Sequence, residues 1–282
     1  MPITIAGGMF MEIQKEKTNP FTNIKHIIAV MSGKGGVGKS SITSLMGVAL
    51  NNKGYKVGIL DADITGPSIP KVFGVNQKRA VGMENEIMPV KTASGIKIMS
   101  INLLIDQEDA PVVWRGPLIA NMVKQFYTDV LWGDLDYLLI DLPPGTGDVP
   151  LTIMQSLEID GIIVVSTPQD LAKLIVTKSI NMAKMMGIPI LGIIENMSYF
   201  QCPDCGKQHS VFGNSGIEII VKEMDIPLIG KIPIDPELTS LSDEGKIELY
   251  EKINYTFGEA FGIQIEKVIE AGKDENLCFQ NV

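Results

Sequence analysis

The chain has 282 residues, 45% of them hydrophobic, and a formal net charge of −9. That composition supplies the core of one large α/β domain or two small ones and excludes a disordered or fibrous chain. The acidic balance argues against a general nucleic-acid binder, which needs a basic face to neutralise phosphates.

No apolar run reaches the roughly 18 residues that span a bilayer. The N-terminus lacks the basic, apolar and small-residue order of a signal peptide. Cys202, Cys205 and Cys278 are the only cysteines, too few for a disulfide framework, so a reducing, cytoplasmic compartment is expected.

Residues 1–23 read as an N-terminal arm and 24–271 as one domain; it holds G-x-x-x-x-G-K-[ST] at residues 33–40 and C-x-x-C at 202–205, which make it a P-loop ATPase domain with a metal-binding loop. Residues 272–282 read as a flexible tail; Glu275 to Gln280 is one residue away from a common protease-tag sequence, and Cys278 is set aside with it. Within the domain, strands are expected at 24–31, 57–61, 96–101, 137–141, 161–167, 190–195 and 228–232. Helical spacing is expected at 39–53, 117–132, 149–157, 171–186 and 215–224. The unbroken apolar runs Leu138-Leu139-Ile140 and Ile162-Ile163-Val164-Val165 suit strands buried on both faces. Their alternation with helices predicts a doubly wound, mostly parallel sheet with helices on both faces.

The first strand runs into Gly33-Lys34-Gly35-Gly36-Val37-Gly38-Lys39-Ser40, with Ser41 next on the following helix. This is G-x-x-x-x-G-K-[ST] in its strand–loop–helix setting, the cradle for the phosphates of ATP. Glycines let successive N–H groups point inward, and the helix N-terminus adds partial positive charge. Lys39 is expected on the β- and γ-phosphates, and the Ser40 hydroxyl on Mg²⁺. Asp61-Ala62-Asp63 closes the second strand. Asp141 ends the strand before Leu142-Pro143-Pro144-Gly145, where a carboxylate can stand behind Mg²⁺ and Gly145 can approach the γ-phosphate.

Lys34 adds a second lysine to the loop, and G-K-G-G-x-G-K-[ST] resembles the deviant Walker A loop of the MinD, ParA and nitrogenase-iron-protein group. The resemblance implies a homodimer with ATP between the subunits, Lys34 crossing to the partner's nucleotide. It also implies that Lys34, Lys39 and Asp63 form the catalytic set, Asp63 positioning the attacking water. Asn196 matches the asparagine that reads adenine, and Ile232-Pro233 the segment beside that base.

Gln201-Cys202-Pro203-Asp204-Cys205-Gly206 forms a compact C-x-x-C knuckle. On residues alone it reads as half of a zinc ribbon, a redox pair, or half of an iron–sulfur site shared by two subunits. A structural zinc or a [4Fe–4S] cluster usually takes four ligands. The chain offers these two, with His209 a candidate third for zinc, so a second subunit would complete the set.

Trp114-Arg115-Gly116-Pro117, Asp141 to Asp148, Glu195 to Ser198 and Gly230 to Asp235 occur together and in order. Over residues 20–265 the chain resembles the Mrp/ApbC family of ATP-dependent iron–sulfur cluster carriers. The resemblance implies slow ATP hydrolysis, a [4Fe–4S] cluster bridging Cys202 and Cys205 of two protomers, and transfer to apo-proteins. The four-cysteine N-terminal motif of the eukaryotic cytosolic members is not in this sequence, nor is the small N-terminal domain of many bacterial members. Two other readings remain: a MinD/ParA-like spatial organiser and an ATPase dimer stapled by zinc. The organiser needs a basic amphipathic C-terminal helix or a basic patch; residues 249–273 carry Glu251, Glu259, Glu266 and Glu270 instead. Neither a membrane nor a nucleic-acid partner is expected.

Overall fold

The computed structural model describes residues 4–5, 8–9, 15–83, 86–105, 116–169, 171–213 and 215–252. The expectations for Trp114, Arg115, Cys278, residues 253–273 and the tail 272–282 lie outside them. The apolar run after Asn23 forms strand β1 (Asn23–Ser32). Apart from a small hairpin of Val81–Met83 with Glu86–Met88, the strands that follow are β2 (Val57–Asp61), β3 (Val90–Lys91), β4 (Lys97–Met99), β5 (Asp134–Asp141), β6 (Gly161–Ser166), β7 (Ile190–Glu195), β8 (Phe200–Gln201), β9 (Gln208–His209) and β10 (Leu228–Lys231). Eight of these form one sheet in the order β10-β7-β6-β1-β5-β2-β4-β3. Every pairing in it is parallel except β3 against β4 at the edge.

The two-residue period of a strand splits β1 between two cores. Ile27, Ala29 and Met31 face one apolar cluster, and Ile28 and Val30 face the other. On the first side pack α3 (Gly116–Thr128), α4 (Asp148–Ser156), α5 (Leu171–Met185) and α6 (Ile217–Met224), through Val123, Ile153, Ile180 and Ile220. On the second pack α1 (Lys39–Asn52) and α2 (Ile69–Val72), through Leu45, Met46 and Ile69. Helix α7 (Pro236–Asp243) leans on that side through Leu238 and Leu241. Both faces of the sheet are covered, so the doubly wound fold is the one observed.

Several elements differ from the sequence expectation. Strand β4 is only Lys97–Met99, because Ser100 turns its hydroxyl to Asp61 and a 3-10 turn takes Ile101–Leu103. Helix α3 ends at Thr128, where Val130 bridges to Ile87 and the Trp132 indole donates to the Phe126 carbonyl at 3.1 Å. The short α2 and α7, the edge strand β3 and the β8–β9 hairpin give too few residues for a periodic pattern. Within residues 15–23, the Glu16 N–H donates to the Ser156 carbonyl at 2.7 Å. The Asn19 amide donates to the carbonyls of Thr128 and Val130 at 3.1 and 2.8 Å.

Candidate nucleotide and cysteine sites

A parallel sheet brings the carboxyl ends of all its strands to one edge, where ligands of open α/β sheets bind. Here that edge gathers the loop after β1, Asp61 at the end of β2 and Asp63 just beyond it, Asp141 at the end of β5, and Asn196 after β7. Helix α1 begins directly on the loop. No side chain caps its N-terminus and no acidic residue occupies its first turn, so its first N–H groups are left for a ligand. Gly38 takes φ +77° there, and a Cβ on it would stand 2.3 Å from Asn196 Nδ2. Only glycine satisfies both the left-handed backbone and that close approach.

The centre of the site is a buried ion pair. Lys39 Nζ lies 2.7 Å from Asp141 Oδ2, with the two side chains 6% and 0% exposed. Ser40 Oγ donates to the same oxygen at 2.5 Å. Thr43 Oγ1 lies 2.8 Å from Asp141 Oδ1 and 3.0 Å from the Lys39 carbonyl, so its single hydrogen is shared between them. A buried charge needs a partner and hydrogen bonds, and Asp141 has both.

Asp61 lies deeper. Its carboxylate accepts from Ser100 Oγ at 3.1 Å and from the N–H groups of Ile69 and Asp63, both at 3.3 Å. Burial, then the neighbouring Asp141 charge, push its pKa well above the usual carboxylate range.

The other sequence-predicted residues surround this core at different distances. Gly145 donates its N–H to the Ser32 carbonyl at 2.8 Å, which ties the loop after β5 to the end of β1. Asn196 Nδ2 donates to the Val37 carbonyl at 2.9 Å, holding the phosphate loop from below. Lys34 turns away from the loop and donates to the Gln169 carboxamide. Asp63 makes no contact with Lys39; its carboxylate accepts from Thr65 Oγ1 at 3.1 Å. Sequence reasoning missed Thr43 and Ser100, which anchor the two aspartates. Thr43 follows Lys39 by four residues and so shares its helix face, a signal that was there to be used.

Cys202 and Cys205 sit together on the turn between β8 and β9, Cys202 half-buried and Cys205 exposed. The Cys202 N–H donates to the Lys207 carbonyl and the Gly206 N–H to the Cys202 carbonyl, each at 2.9 Å. The N–H groups of Cys205 and Asp204, with the Cys205 thiol, favour the Cys202 thiolate and lower its pKa. His209 pairs with Phe200 in the hairpin and is exposed. No group of three or more His, Cys, Asp or Glu side chains placed to hold a metal occurs among the described residues.

The hairpin is tied to the nucleotide edge on both sides. Phe200 bridges to Ile234, and the Ile234 N–H donates to the Tyr199 carbonyl at 2.7 Å. Buried Glu195, next to Asn196, accepts from Ser198 Oγ at 2.6 Å and from Ser215. Pro233 lines a cavity of about 620 Å³ together with Cys202, Tyr199, Asp235 and Lys252.

The chain resembles known proteins along most of its length. A family model described as a NUBPL iron-transfer P-loop NTPase matches residues 23–269. The iron-sulfur cluster carrier protein of Methanocaldococcus jannaschii is 52% identical over 225 residues, covering 79% of this chain and 78% of that protein. The iron-sulfur cluster carrier protein of Clostridium perfringens is 46% identical over 262 residues, covering 90% of this chain and 92% of that one. Among solved structures, the nucleotide-binding protein of Archaeoglobus fulgidus in complex with ADP superposes with a TM-score of 0.73 at 48% identity, covering 81% of this chain and 89% of that one.

Proposed function

The chain belongs to the NUBPL iron-transfer P-loop NTPase family, and from that membership we propose an ATP-dependent iron–sulfur cluster carrier. In this reading two protomers hold one [4Fe–4S] cluster between their Cys202–Cys205 pairs, hydrolyse ATP slowly and pass the cluster to apo-proteins in the cytoplasm. The observation that carries it is the short path between the two sites: Asn196, which clasps the phosphate loop at Val37, precedes Cys202 by one turn and one strand. A shift of the loop when phosphates bind is delivered to the base of the cysteine hairpin. The pair of thiols without further ligands among the described residues favours a cluster shared with a second copy.

At the nucleotide, the ammonium of Lys39 exchanges the Asp141 carboxylate for the β- and γ-phosphates, and the free N–H groups at the start of α1 take the remaining oxygens. The donor set fits Mg²⁺: the Ser40 hydroxyl would hold it, with the Asp141 carboxylate that already contacts Ser40 behind it. Bound there, the ion would supply charge to offset that building on the phosphate oxygens. Asp63, on the exposed side of the same edge, orients water, and Lys34 leaves Gln169 to reach the partner's nucleotide. Pro233 and Asn196 flank the base.

Anaerobic reconstitution with iron and sulfide tests the proposal. A broad visible absorption with about one [4Fe–4S] per dimer, absent from Cys202→Ala and Cys205→Ala, is the expected result. Tight zinc in place of a cluster, at the same two cysteines, would replace it with a zinc-stapled ATPase dimer.

A further inference from the structure

The amino ends of the strands, on the edge opposite the phosphate loop, carry a separate cavity of about 570 Å³. Lys56, Lys91 and Lys97 line it, and Asp134 is the one carboxylate among its lining residues. These lysines come from the start of β2, from the edge strand β3 and from β4, so the sheet order alone converges them. None of the three makes an ion pair among the described residues. Lys97 donates to the Trp132 carbonyl, and Lys78 brings a fourth ammonium to the Lys91 carbonyl at 3.0 Å.

Of the nearby carboxylates, Asp136 pairs with Lys25 at 2.7 Å while its other oxygen accepts from the Lys56 N–H at 2.8 Å and so faces part of the Lys56 charge, and Glu248 accepts from Thr92 Oγ1 at 2.6 Å and the Ser94 N–H at 3.2 Å.

A lysine on an edge strand has a ready purpose, since it discourages pairing with another sheet. That accounts for Lys91. It does not account for Lys97, half-buried on the next strand inward beside two other cations. Burial, then repulsion from Lys91 and Lys56, lower its pKa, with only Asp134 acting against them. In a chain of net charge −9, three ammonium groups around one concavity with a single lining carboxylate, Asp134, are an arrangement that a bound anion relieves.

We infer that this cavity is a second ligand site, taking a small oxyanion with two or more negative charges borne on phosphate or carboxylate groups. Its size lies within the roughly 300–1,000 Å³ of ordinary small-molecule sites. Ammonium groups act as point charges and accept either kind of oxygen cluster, where a guanidinium would demand a planar fork.

The test titrates pyrophosphate and citrate separately into the full chain in magnesium-free buffer of low ionic strength. Its lysines carry carbon-13-labelled dimethyl groups, which keep their charge, and Lys97→Gln assigns the Lys97 signal. A saturable shift of that signal with a rise in the Lys97 pKa, weakened about tenfold in Lys91→Gln, is the expected result. A response to pyrophosphate alone identifies a phosphate ligand, to citrate alone a polycarboxylate, and to both the shared chemistry. A Lys97 signal unmoved by either anion at millimolar concentration, or an affinity unchanged in Lys91→Gln, overturns the inference. Because the readout is resolved at Lys97, anion bound at the phosphate loop does not confuse it, and failure here leaves the carrier proposal standing.

Discussion

Replacing Asp141 by Asn removes the counter-charge of Lys39 while preserving the shape that meets Ser40 and Thr43. Breaking a buried pair by deleting one partner costs about 3–5 kcal/mol, because the other charge is left uncompensated. The lower end applies here. The Asp141 charge is, after burial, what raises the Asp61 pKa, so removing it favours a negative charge on Asp61 and offsets part of the loss. With an m-value of roughly 3 kcal/mol/M in urea, a loss of about 3 kcal/mol moves the nucleotide-free midpoint down by about 1 M. Saturating ADP without magnesium should narrow the gap between variant and wild type, since phosphate supplies the charge that Lys39 has lost. Urea unfolding followed by circular dichroism, with and without ADP, measures both effects. Stabilities within about 0.5 kcal/mol of each other without ADP would refute the idea that Asp141 holds Lys39 in the empty site. A gap unmoved by ADP would refute the exchange of Asp141 for phosphate.

Two further outcomes follow from the cysteine hairpin and its support. Backbone N–H groups favour the Cys202 thiolate, so in Cys205→Ser, which retains those N–H groups, the alkylation rate by iodoacetamide should rise with a midpoint below that of an ordinary thiol; a midpoint at or above it contradicts the geometry. Asp235 caps α7 through the Glu237 N–H at 2.9 Å and also meets Tyr250 and Lys252, so Asp235→Ala should cost about 1–2 kcal/mol at neutral pH. Burial works to raise its pKa, but Lys252, the Glu237 N–H and Tyr250 together hold it below the ordinary value. The stabilisation is therefore present above the unfolded-state pKa and lost as pH falls through the folded one. Thermal melts of both proteins from pH 7 to pH 2 should show the difference shrinking, and a constant difference counts against the charge being its source.

The strand–loop–helix around Gly33–Ser40 was legible because it is local. Eight consecutive residues, a buried apolar strand before them and a helix after them dictate the cradle whatever surrounds it. Asp141 was legible for a related reason: a carboxylate at the end of an apolar run marks the carboxyl edge of a parallel sheet. The partners of these residues were not. Thr43 meets Asp141 across 98 positions of sequence, Asn196 meets Val37 across 159, and Lys34 meets Gln169 across 135.

Those distances close because β1 lies between β5 and β6, a neighbour order different from chain order. The lysines of the second cavity are the clearest case. Along the chain Lys56, Lys91 and Lys97 look like ordinary solvated charges, and only the placement of β2, β4 and β3 side by side turns them into one electrostatic feature. The sequence determined which chemistry each strand end carries, since that depends on residue type and short-range period. The tertiary structure decided which ends meet, since that depends on hydrogen-bonded strand order, and no short-range period encodes it.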